Sequence, residues 1–196
     1  MLIQFGSTDF TLGRGDMRTT IRLFFLLVLG LAAWPAGAGE VIGNTYVGER
    51  FGYIELTAPD GKWEITDKEK GATNDMAGMI AHFKLKDAIS GWRADVNILG
   101  FKKIEDAITV DFVMNTMRTE WAAQGGETEA IETGRIAGKK VFFYDKRLNV
   151  KGIAMKGRDI YLEGGKAVFV VHMIVRADVY PQTLQLLEEL VAGAKY

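Results

Sequence analysis

Apolar and polar residues change rhythm several times along this chain, and each change marks an element. In "FGYIELTAPDGKWEI" the two kinds alternate through Tyr53, Ile54, Glu55 and Leu56, stop at Pro59-Asp60-Gly61 and resume at Trp63. That pattern predicts strand, turn, strand. Residues 66–78 are polar and glycine-bearing without a period, and read as a loop. "MIAHFKLKD" and "RADVNILGF" read as two more strands, the second with Ala94, Val96 and Ile98 on one side and Asp95 and Asn97 on the other. Such alternation implies a sheet with one face better buried than the other.

The period then lengthens. Ala107, Val110, Met114, Met117 and Trp121 fall on one helical stripe, predicting a helix over 106–124. Asp106 stands where an N-cap belongs, Asp111 lies near the positive end of the helix, and Gly125-Gly126 ends it. The apolar segments "TEAIETGRI", "KKVFFYDKR", "VKGIAMKG" with "DIYLEGG", and "KAVFVVHMIV" follow, most of them separated by short glycine-bearing turns. They predict an antiparallel meander. The last is apolar at nearly every position from Ala167 to Val175, the mark of a central strand covered on both faces. A closing helix over 178–192 places Tyr180, Leu184, Leu187 and Val191 on one stripe, with Pro181 in its first turn and Gly193 after its end. The fold class is therefore α+β: an antiparallel sheet covered by helices, an α/β/α sandwich.

The start of the chain has a different character. Arg18 and Arg22 precede an apolar run from Leu23 to Trp34, and Ala36-Gly37-Ala38 offers small residues before Gly39. This is the plan of a secretory signal peptide over 17–38, cleaved between Ala38 and Gly39. The run is too short for a membrane span, which needs about 20 apolar residues, and it ends at Pro35. An uncleaved anchor is the lesser alternative. Met17 stands where an initiator belongs, so residues 1–16 read as upstream sequence from a wrong start. Residues 39–196 form a single domain expected in the periplasm or outside the cell.

Composition narrows the partners. The mature chain carries about two net negative charges, and its basic pairs Lys102-Lys103, Lys139-Lys140 and Lys146-Arg147 are scattered among acids. Nucleic-acid binding needs clustered cations, so it is not expected. The chain has no cysteine, hence no disulfide and no lipid-acceptor thiol, and the mature protein is expected to be soluble with no stable anchor.

Four features in order, "FGYIELTAPDGKW", the helix over 106–124, "GRIAGKKVFFY" and "KAVFVVHMIVRADVYPQTLQLLEELV", resemble the fold family of the photosystem II protein PsbP and the Ran-binding protein Mog1, with its bacterial exported members. The resemblance covers residues 46–193. Lys62, between Gly61 and Trp63, and the ending "AGAKY" depart from the pattern. The resemblance implies a binding or assembly accessory rather than an enzyme, and it carries no partner-binding residue onto this chain.

Candidate chemistry is sparse. Ser90 is the one serine of the mature chain and sits in a turn-like "DAISGW", with no spacing to suggest a triad with His82 or His172. The two histidines, each in an apolar strand, are weak metal candidates that would need to converge with a carboxylate such as Asp95 or Glu163. Hydrogen-bonded strand histidines are the plainer reading. Asp67, Glu69 and Asp75 lack the ligand order of a calcium loop, and Glu127, Glu129 and Glu132 read as solvated acids rather than a glycosidase pair. Trp63, Trp92, Phe142, Phe143 and Tyr144 are the weak candidates for a ligand pocket or partner surface. Phe142, Phe143 and Tyr144 cannot all face one side of a strand.

These features lead to three expectations. The first is an exported, non-enzymatic accessory that binds another envelope or membrane protein, with no cofactor. The alternative is a carrier of a small apolar ligand or metal ion, and the third is an unrecognised hydrolase. Oligomeric state is not legible in the chain.

Overall fold

A computed structural model describes residues 39–69, 75–104 and 107–196. The leader, the expected upstream segment and its Met17 start lie outside the described residues. Among the described residues, eleven strands fall into two sheets. The small sheet, ordered β1-β2-β3, is built from Glu40–Ile42 (β1), Thr45–Gly48 (β2) and Ile54–Thr57 (β3). The large sheet contains Trp63–Asp67 (β4), Ala77–Leu85 (β5), Asp95–Lys102 (β6), Glu127–Thr128 (β7), Glu132–Ile136 (β8), Lys139–Val150 (β9), Ile153–Glu163 (β10) and Ala167–Arg176 (β11). Its order is β4-β5-β6-β11-β10-β9-β7, with β8 also paired to β9, and every pairing is antiparallel.

Two α-helices complete the fold of the described residues, Val110–Ala123 (α1) and Tyr180–Ala192 (α2). α1 covers one face through Val110, Val113, Met114 and Met117, packed on Leu99, Tyr144, Tyr161, Val168 and Val170. α2 and the small sheet cover the other face, where Leu187, Leu190, Ile54 and Leu56 meet Phe83, Ile98, Phe169 and Val171. The result is the expected α+β sandwich.

The two-faced strand is β11, between β6 and β10, with Ala167 to Val171 buried without a break. Alternation is correct on β6, where Val96 and Ile98 are buried and Asp95 and Asn97 half-buried.

Several expectations need correction. Strand, turn and strand stand around Pro59-Asp60-Gly61 as expected, but β3 belongs to the small sheet and β4 to the large one. The short 3-10 turn over Pro59–Gly61, with Gly61 at φ 60°, redirects the chain between layers instead of folding it back. The expected loop over 66–78 is shorter at both ends, because Thr66 and Asp67 finish β4 while Ala77 and Gly78 begin β5. The N-cap of α1 is Thr109, whose hydroxyl accepts from the Phe112 amide at 3.2 Å. Asp106 lies outside the described residues, and Ala107 precedes the helix. "TEAIETGRI" is two strands, not one.

Candidate functional site

The side chains with most chemical potential gather between α1 and the sheet. Direct cross-strand partners share a face, and the register runs Thr66, His82, Asn97, His172, Asp159, Tyr144 across β4, β5, β6, β11, β10 and β9. Polar residues thus form a transect across the sheet on the α1 side. Its β11–β9 half is covered by the helix. Lys146, two residues beyond Tyr144, faces the same way.

Asp159 is the hub. Its Oδ1 accepts from the Lys146 ammonium and lies 2.9 Å from His172 Nδ1, while its Oδ2 accepts from the Tyr144 hydroxyl at 2.9 Å. Tyr161 donates in turn to the Tyr144 hydroxyl at 3.0 Å. Lys146 Nζ also lies 2.7 Å from His172 Nδ1 and 4.8 Å from the centre of the Trp121 ring. Trp121 forms the lid: it stands edge-on to His172 with centroids 6.5 Å apart, and its indole N–H donates to the Arg147 carbonyl at 3.3 Å. Lys146 and Asp159 keep 1% and 2% of their side chains exposed, and His172 keeps 13%.

Charge follows from this geometry. Burial alone would raise the Asp159 carboxyl, but the neighbouring Lys146 ammonium and the His172 ring hold it well below the usual carboxylate range. Burial and the adjacent Lys146 charge lower His172. Burial likewise lowers Lys146, against the pull of Asp159. These directions are consistent with an ionised Lys146–Asp159 pair beside a neutral His172 ring. Tyr144 and Tyr161 are pushed up by burial and then by the Asp159 charge, so both stay protonated donors.

A second acid anchors the opposite helix. Asp145, on the other face of β9, accepts from Arg158 Nε at 2.6 Å and from the Tyr180 hydroxyl of α2 at 2.7 Å, and Arg158 reaches Glu188 of α2 at 3.1 Å. The run Phe142-Phe143-Tyr144-Asp145-Lys146 therefore alternates between two helix-anchoring networks. Both acids hold cations and hydroxyls in fixed places.

The residues singled out from sequence are distributed as follows. Tyr144 joins the Asp159 cluster and is fully buried. Phe142 is half-buried on the α1 side, with Lys140 Nζ 4.4 Å from its ring centre. Phe143 packs on the opposite face beneath the Arg158 guanidinium. Trp63 lies in the core and Trp92 packs on its edge, so these two do not meet Phe142 or Tyr144 in one pocket. His82 and His172 share a face but do not converge, because Asn97 stands between them and two strand spacings separate them by about 9–10 Å. His82 instead pairs with Asp95 at 2.9 Å, and Glu163 with Lys103 at 2.8 Å. Among the described residues no three His, Asp or Glu side chains are grouped to hold a metal. Ser90 lies in a tight turn with φ 48°. Glu127 pairs on the surface with Arg147, and Glu129 and Glu132 are exposed.

Lys146 and Asp159 were missed as a pair. The available signal was parity: each sits at the position in its strand that alternation assigns to the buried α1 face.

Solvent meets a different surface on the outside of α1. Phe112, Asn115, Thr116, Thr119 and Glu120 line a shallow depression there. Phe112 is 53% exposed, and Ile104, shortly before the helix, is 45% exposed.

No family model matches the sequence, and no curated protein matches it either. Solved structures do match. The solution structure of cyanobacterial PsbP (CyanoP) from Synechocystis sp. PCC 6803 superposes with a TM-score of 0.56 at 13% identity, covering 82% of this chain and 96% of that one. The fold is PsbP-like. A Bacteroides thetaiotaomicron structure matches with a TM-score of 0.51 at 14% identity, over 79% of this chain and 48% of that one. LpqN, described as involved in cell envelope biogenesis of Mycobacterium tuberculosis, matches with a TM-score of 0.49 at 12% identity over 72% of this chain and 82% of that one. The PsbP-like fold accounts for the order of strands and helices legible in the sequence. Among the described residues no helix is long and apolar enough to cross a membrane.

Proposed function

We propose that this chain is an exported, non-enzymatic accessory protein that binds another envelope protein through the outer surface of α1. The observation carrying the reading is a contrast on that helix. Its inner side is pinned by a sealed ionic cluster, whereas its outer side presents Phe112 above a depression of short polar residues. A rigid helix with an exposed aromatic anchor and a polar rim has the make-up of a protein-recognition surface. The leader read in the sequence supports an exported setting. The PsbP-like fold is compatible with an accessory role.

The test places a photo-crosslinking residue at Phe112 and, as a control in the opposite layer, at Gln185. The expected result is one envelope protein captured from position 112 and not from 185. Equal products from both positions, or none from either, would remove the basis of the proposal.

A further inference from the structure

A third buried polar cluster lies at the junction of the two sheets. Tyr46 on β2 is fully buried, and Glu69, just after β4, is 1% exposed. The Tyr46 hydroxyl, Asp67 Oδ2 and Glu69 Oε2 are buried with no hydrogen-bond partner among the described residues. Arg50 is close: Nη1 donates to the Glu69 carbonyl at 3.0 Å and Nη2 to Asp75 at 2.9 Å, while its buried Nε has no partner among the described residues. Buried acceptors left without a donor are costly, at about 1–3 kcal/mol each and more when charged.

Gly39 is buried against this cluster. A carbon substituent on its Cα would lie 2.6 Å from the Tyr46 hydroxyl oxygen and 2.9 Å from Asp67 Oδ1. Those distances are far too short for a carbon, and they suit an N–H donor facing two oxygens. Within a continuous chain the Gly39 nitrogen is an amide carrying one hydrogen. Once the peptide bond before it is hydrolysed, rotation about Cα–C lets the freed nitrogen swing into that position. The Tyr46 ring edge, 2.7 Å from the point, has to withdraw to make room. Glu69 lies on the far side of the same hydroxyl: a substituent on Gly48 would be 2.6 Å from both Glu69 Oε1 and the Tyr46 oxygen.

We infer that cleavage between Ala38 and Gly39 completes the fold, because the new Gly39 α-ammonium docks into the buried site formed by Tyr46, Asp67 and Glu69. A signal peptidase adds water across the Ala38–Gly39 bond, leaving a carboxylate on Ala38 and a three-donor cation on Gly39. The ammonium supplies donors and positive charge together, where Asp67 and Glu69 offer acceptors. Glycine is required because a side chain on residue 39 would compete with its own nitrogen for the space. Burial raises the Glu69 carboxyl, the adjacent Tyr46 hydroxyl and Arg50 oppose that rise, and the Asp67 charge adds to it. The docked amine also ties β1 to β4, joining the small sheet to the large one.

The test expresses the chain with its leader in an exporting bacterium and recovers the mature protein. Intact mass is expected to place its first residue at Gly39. Acylation of the α-amine at neutral pH, followed on the N-terminal peptide, is expected to be at least tenfold slower than in the Asp67→Asn/Glu69→Gln double variant. A serine inserted between Ala38 and Gly39 retains every cluster residue but displaces the amine, and is expected to lower the melting temperature by about 3 °C or more. A mature chain starting elsewhere, equal acylation rates, or an unchanged melting temperature in the insertion variant would each overturn the inference.

Discussion

Lys146 and Asp159 meet beneath α1 as an ion pair with almost no solvent contact, and Trp121 of the helix closes over them. Pairs of this kind are asymmetric in their energetics: removing one partner strands the other charge, whereas removing both can be harmless. Lys146→Met is therefore expected to destabilise the domain by about 3–5 kcal/mol, because Asp159 retains only its Tyr144 bond and its His172 contact. Adding Asp159→Asn to that variant is expected to recover much of the loss. Urea unfolding of the two single variants and the double variant checks this, and additive losses would contradict it.

Acid should weaken the same cluster. The folded His172 pKa lies below its ordinary value of 6.5, so below pH 6.5 the unfolded chain takes up a proton that the folded chain resists. The stability present above that pH is lost as pH falls through the lowered folded value. Asp159 adds a second loss in the more acidic range, below the usual carboxylate value, where its depressed carboxyl finally protonates. Urea midpoints measured from pH 7.5 down to pH 4.5 are expected to fall, with a shallower slope in His172→Gln. Equal slopes would assign the acid sensitivity to other groups.

Trp121 gives a prediction about packing. Its ring lies over Lys146, its N–H holds the Arg147 carbonyl, and Gly126 leaves no room for a side chain against the indole. Trp121→Ala is expected to cost about 3–5 kcal/mol, the usual range for emptying a large aromatic site. Gly126→Ala displaces the indole without removing it and is expected to cost less. Thermal unfolding of both variants should rank them in that order.

Much of this fold is readable in residue order because layers leave simple patterns. Ala167 to Val175 is apolar almost throughout since β11 has helices or sheet on both sides, and Met114, Met117 and Trp121 recur at helical spacing since one side of α1 is buried. The ionic cluster is harder to read because its members come from four elements and alternation says only which way each points. Lys146 within "FFYDKR" looks like a strand approaching water, yet it shares parity with Phe142 and Tyr144. The small sheet was hidden for a related reason. "YIEL" and "WEI" share one rhythm, and nothing in that rhythm reveals that a 3-10 turn sends them into different layers.

Phe112 separates recognition from folding. Its backbone amide completes the Thr109 cap, but its ring is 53% exposed on the side of α1 away from the Asp159 cluster. Phe112→Asp leaves the amide in place and puts a carboxylate near the positive end of the helix, where it is tolerated. Stability is therefore expected to change by no more than about 0.5 kcal/mol. An aromatic anchor at the centre of a partner contact costs about 2 kcal/mol or more when truncated, equivalent to roughly thirtyfold in affinity. Binding to the envelope partner captured from α1 should weaken by at least that factor, measured by titration with the purified partner. Retained affinity in a folded Phe112→Asp protein would move the contact off this helix.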